Sequence, residues 1–83
     1  MEFDKLTEKI NIAIKKMDIF VDNISYKKKG KYNFLEITLD KVGGIDLDEI
    51  VDATKIINPI VEENFKKSES YVLDVYGKEN DYE

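Results

Sequence analysis

The chain is predicted to be an α+β domain, ordered α-β-β-α-β, with two helices packed on one face of a three-stranded sheet. Three features point to that class. Leu35, Ile37 and Leu39 alternate with Glu36, Thr38 and Asp40 at the period of a strand with one buried face. Gly43 and Gly44 then allow a sharp turn, and from Leu47 the apolar spacing changes to the threes and fours of a helix. One strand hands directly to one helix.

The remaining elements follow in chain order. Asp4 is placed to cap a first helix whose apolar stripe is Leu6, Ile10, Ala13, Ile14 and Met17, with Lys15 and Lys16 near its negative end. Ile19 to Tyr26 reads as a strand whose imperfect alternation marks a bulge at Asp22 or Asn23. Lys28-Lys29-Gly30-Lys31 makes the hairpin turn, and the second strand runs from about Tyr32 to Asp40. Asp46 and Glu49 have capping-box spacing ahead of a helix from Leu47 to Glu63, whose inward positions are Leu47, Ile50, Val51, Thr54, Ile57 and Val61. Pro59 should kink that helix or loosen its last turn. Asn64 to Glu69 reads as a polar surface loop, and Ser70 to Tyr76 as the last strand.

The alternation also assigns the faces of the sheet. Leu35, Ile37, Leu39, Tyr71, Leu73 and Val75 point toward the helices, while Phe34, Thr38, Val72 and Tyr76 point the other way. Phe34, Val72 and Tyr76 thus form a partly apolar open face, either ordinary solvated surface or a docking surface.

With 83 residues there is room for one domain, residues 1–83, and one modest core. Cysteine and histidine are both absent, which removes disulfides, thiolate chemistry, imidazole bases and the commonest zinc ligands. No glycine-rich phosphate loop accompanies the carboxylates, so catalysis and binding of a metal, nucleotide or other cofactor are not expected. A calcium loop fails because Val42 and Gly44 fall where oxygen ligands are required. No apolar run is long enough to span a bilayer, and a cytoplasmic protein is the simplest reading.

Charge separates the partner classes. All 13 basic residues are lysine, against 18 acidic ones, for a formal net charge of -5. Bidentate guanidinium recognition of phosphate or guanine is therefore missing, and a basic protein is a better-matched partner than nucleic acid. Asp40, Asp46, Asp48 and Asp52 are the candidate protein-binding residues. Asp46 and Asp48, with Glu49, either serve the helix start or meet such a partner, whereas Asp40 has no capping role. Lys27, Lys28, Lys29 and Lys31 are the candidate RNA-binding residues, either reaching phosphates from a hairpin tip or solubilising that turn. Tyr26 and Tyr32 flank them as packing residues or stacking platforms.

The sequence resembles the N-terminal domain of the bacterial ribosome maturation factor RimP family. The resemblance rests on Leu35-x-Ile37-x-Leu39-Asp40-Lys41, on Gly43-Gly44-Ile45 leading into Leu47-Asp48, on Thr54 with Ile57, and on Tyr71-x-Leu73-Asp74-Val75. It covers roughly Asp18 to Tyr76. The family's Ser-Ser-Pro-Gly segment and C-terminal β-barrel domain are not seen in this chain, which reads Tyr76-Gly77-Lys78-Glu79-Asn80-Asp81-Tyr82-Glu83 instead. The resemblance implies a non-catalytic assembly factor that associates with the immature small ribosomal subunit, a basic ribosomal protein and nearby ribosomal RNA. An RNA-binding KH module has a similar layout but needs a Gly-x-x-Gly loop, and this chain has none. The alternative is a small α/β interaction module unrelated to ribosomes, one that adds a strand to a partner's sheet edge.

Overall fold

The structure, a computed structural model, describes residues 3–65 and 70–78. Helix α1 (Asp4–Ile14) runs into a short 3-10 turn, followed by β1 (Ile19–Lys29), β2 (Tyr32–Lys41), α2 (Leu47–Asn64) and β3 (Val72–Gly77). The three strands form one sheet in the order β1-β2-β3, antiparallel between β1 and β2 and parallel between β2 and β3. Both helices cover one face of it, as the chain's patterning predicts. The loop assigned to Asn64–Glu69 falls largely on residues 66–69, which lie outside the described residues, as does the tail beyond Lys78.

Helix α1 differs from expectation at its start. Phe3, not Asp4, takes the N-cap position and supplies no side-chain bond, while Asp4 lies in the first turn, where the helix dipole favours a carboxylate. The stripe Leu6, Ile10 and Ile14 is buried as its spacing requires. Asp18 ends the segment in the left-handed conformation at φ 61, one that aspartate tolerates better than most residues. The bulge falls between Val21 and Asn23, and the Val21 N–H donates to Asn11 Oδ1 on α1 at 2.8 Å. Strand β1 continues to Lys29, because Lys27, Lys28 and Lys29 pair with Phe34, Asn33 and Tyr32 and leave only Gly30 and Lys31 in the turn.

Between β2 and α2 the chain turns through Gly43 and Gly44, whose φ values of 89 and 101 suit glycine and strain other residues. Asp46 then closes a complete capping box with Glu49: the Glu49 N–H donates to Asp46 Oδ1 at 2.8 Å and the Asp46 N–H to Glu49 Oε1 at 3.0 Å. Pro59 does not end α2, which continues to Asn64. The carbonyl that loses a donor there belongs to Lys55, an exposed residue.

The inward face of α2 needs a correction. Ala53, Ile57 and Val61 are buried, whereas Leu47 is 73% and Val51 46% exposed. At about 100° per residue, Ile50, Ala53, Ile57 and Val61 centre on one line, and Leu47 and Val51 fall on its flank. Their spacing is helical, but the helix is rotated so that Ile50, Ala53, Ile57 and Val61, not Leu47 and Val51, face the core.

Ile10, Ile14, Leu35, Ile37, Leu39, Ile57 and Val61 are the largest fully buried side chains and fill the space between helices and sheet. An aromatic cluster closes one end. The Phe65 ring lies 5.9 Å from Phe3, 5.5 Å from Tyr26 and 5.3 Å from Tyr71 between centroids. At the other end Gly77 backs onto α2 so closely that a Cβ there would lie 2.8 Å from Ile45 Cγ2 and 3.0 Å from Ile50 Cδ1.

Candidate functional site

The hairpin register decides what the lysines do. Residues directly opposite in an antiparallel pair share a face, so Lys29 with Tyr32, Lys27 with Phe34 and Ser25 with Glu36 all lie on the open side of the sheet. Lys28, opposite Asn33, lies on the other side, and Lys31 sits in the turn. Glu36 is 5% exposed, unusual for a carboxylate on an uncovered face, because Lys27 and Lys29 fold over it. Lys29 Nζ is 2.8 Å from Glu36 Oε2 and Lys27 Nζ is 3.5 Å from Glu36 Oε1. The hydrogen bond to Lys29 holds the Glu36 carboxyl below its ordinary pKa and holds the Lys29 amine above its own. Half of the proposed basic cluster is therefore committed to an internal ion pair. Lys28 and Lys31, both exposed, are left to meet an external anion.

The acidic residues gather at the opposite end of β2. Asp40 and Asp46 line one shallow depression with Lys41, the two glycines, Ile45 and Glu49. Asp40 Oδ1 accepts the Lys41 N–H at 2.8 Å, and Asp46 is the cap of α2. Lys41 Nζ donates to Glu49 Oε2, tying the end of β2 to the first turn of α2; this bond lowers the Glu49 pKa and raises that of Lys41. Asp48 and Asp52 are exposed on α2 outside the depression. The four aspartates thus form a surface around the start of α2, not a pocket. Among the described residues no group of three or more metal-ligating side chains is placed to hold a metal ion.

On the open face Phe34 is half-buried, with Lys29 Nζ 5.5 Å from its ring centre, while Val72 and Tyr76 are 45% and 40% exposed. Strand β3 sets Val72 opposite Phe34 and Tyr76 opposite Thr38. Tyr32 is exposed and available for stacking; Tyr26 belongs to the aromatic cluster beneath the helices.

Two features escape sequence reasoning. Glu36 as the anchor of Lys27 and Lys29 was readable only from a register fixed by the two-residue turn at Gly30 and Lys31. The second is an apolar groove lined by Ile12, Ile19, Phe20 and Val42 with Asn11, Lys15, Asp18 and Lys41. Ile12 and Val42 each lie off the periodic stripe of their own segment, which left no pattern to read.

Two helices on one face of a three-stranded mixed sheet, with lysines around the hairpin turn and aspartates around the start of α2, define a small α+β domain. The model of the RimP N-terminal domain matches residues 9–76. The chain belongs to the RimP family of ribosome maturation factors through that domain. Among the described residues no helix is long and apolar enough to cross a membrane.

Proposed function

We propose that this domain is a cytoplasmic, non-catalytic assembly module for the small ribosomal subunit. It engages a basic ribosomal protein through Asp40, Asp46, Asp48 and Asp52 and nearby ribosomal RNA through Lys28 and Lys31, with Lys27 and Lys29 supporting the hairpin. The observation that carries this reading is the separation of charge along β2. Lys27, Lys28, Lys29 and Lys31 gather at the hairpin end of the ten-residue strand and Asp40 and Asp46 at the other, where Lys41 is held by Glu49, so a partner of each sign has its own docking end. At about 3.3 Å per residue the two ends lie roughly 30 Å apart, well beyond a Debye length at physiological salt.

Membership of a ribosome maturation family supplies the ribosomal context, and the surfaces supply the division of labour. A net acidic chain is repelled by nucleic acid at long range, so protein contact steers the encounter and the hairpin adds a local, sequence-independent phosphate contact. The test is sedimentation of tagged protein with ribosomal subunits from cells stalled in late maturation. The domain is expected with immature small subunits, and its presence only at the top of the gradient would overturn the proposal.

A further inference from the structure

We propose that the free edge of β3 is a docking site for an extended basic segment of a protein partner, which adds a fourth strand to the sheet. The inference deepens the reading of a basic protein partner and rests on it. Strand β3 is the last in the order β1-β2-β3, so among the described residues only β2 pairs with it. The Lys78 N–H donates to the Leu39 carbonyl at 2.7 Å. Backbone groups alternate in direction along a strand, so those of Leu73, Val75 and Gly77 point away from β2, along the open edge. Such a row of donors and acceptors is a template for another strand.

The flank above this edge is apolar where a solvated helix would be polar. Ile50 reaches Gly77, which places the start of α2 over the end of β3. Ile56 and Ile60, partly buried, lie on the opposite flank of α2 from Leu47 and Val51, by about 180° of helical rotation. Leu47 and Val51 therefore overhang the outer edge, and Leu73 and Val75 beneath are only half-buried. An added strand would bury alternate side chains against these four residues.

Charge selects the occupant. Asp48 and Asp52 on this stretch of α2 and Asp74 on β3 are all exposed, and Lys55 is the one cation of α2. A second copy of this chain paired edge to edge would bring the same aspartates together, and a nucleic acid would meet them with its phosphates. A segment alternating lysine with aliphatic residues satisfies both the edge and the charge.

The probe is the peptide Lys-Val-Lys-Ile-Lys-Val-Lys, added to the full chain and followed by amide NMR and hydrogen exchange. Slower exchange at Leu73, Val75 and Gly77 is expected, with affinity falling by about ten-fold or more when glutamate replaces every lysine of the peptide or in D48K/D52K protein. Val75→Pro removes one outward donor without breaking a bond to β2 and should abolish the protection; Val75→Thr, which keeps the donor, should retain it. Binding that leaves those amides unchanged would overturn the proposal. So would their protection by self-association without peptide, or tighter binding of a single-stranded oligonucleotide at the same amides. If Val75→Pro protein still sediments with small subunits like the wild type, the edge proposal fails while the assembly function stands.

Discussion

Lys29 Nζ lies 2.8 Å from Glu36 Oε2, across the open face of the sheet, and makes Glu36 the most buried charged group among the described residues. Its carboxyl is held below the ordinary value of 4.5, first by the hydrogen bond from Lys29. A carboxylate with a depressed folded pKa contributes stability that is full above its unfolded pKa and is lost as pH falls through its folded pKa. Glu49, depressed by Lys41, acts in the same window. The melting temperature should hold steady toward pH 4.5 from above and fall below it, with a shallower fall in E36Q/E49Q protein. Lys29 and Lys41, raised above 10.5, keep their contribution until pH exceeds that value.

Ile37→Ala should cost about 2–5 kcal/mol, the range for truncating a fully buried aliphatic side chain. Leu47→Ala, at an exposed position, should stay within about 0.5 kcal/mol. Urea unfolding of the two variants checks the contrast, and equal losses would place Leu47 in the core.

The capping box makes Asp46 the most sensitive of the four aspartates to a neutral truncation. Asp46→Ala should destabilise by about 0.5–2 kcal/mol, against the smaller dipole effect of about 0.3–1 kcal/mol for Asp48→Ala. Chemical denaturation of both variants ranks them.

Gly77→Val should destabilise by about 1–3 kcal/mol, because its new side chain meets Ile45 and Ile50 where a Cβ alone is already within 2.8 Å. A melting curve equal to that of the parent would show that this contact yields freely.

The elements and their order were legible because each carries its own periodicity. The strand Leu35 to Leu39, the capping box at Asp46 and the bulge beside Asp22 all follow from local chemistry. What local chemistry does not specify is rotation about the helix axis and pairing across the sheet. Leu47 and Val51 have core spacing yet lie on the flank of α2, because the helix turns Ala53, Ile57 and Val61 inward instead. Lys27, Lys28, Lys29 and Lys31 look equivalent along the chain, and only cross-strand register assigns two of them to Glu36. Tyr26 and Tyr32 flank the same turn, but one packs on Phe65 and the other faces solvent for the same reason.

That division of the lysines determines the most direct test of a protein contact at one end of β2 and an RNA contact at the other. Lys28 and Lys31 can be reversed without stranding Glu36, and Asp48 with Asp52 without removing the Asp46 cap. The measurement is binding of K28E/K31E and D48K/D52K proteins to immature small subunits across a salt series. The first is expected to weaken binding and flatten its salt dependence, and the second to slow association with the isolated basic ribosomal protein while leaving RNA attachment in place. Equal losses with the same salt slope in both variants, or wild-type binding in both, would contradict a contact divided by charge.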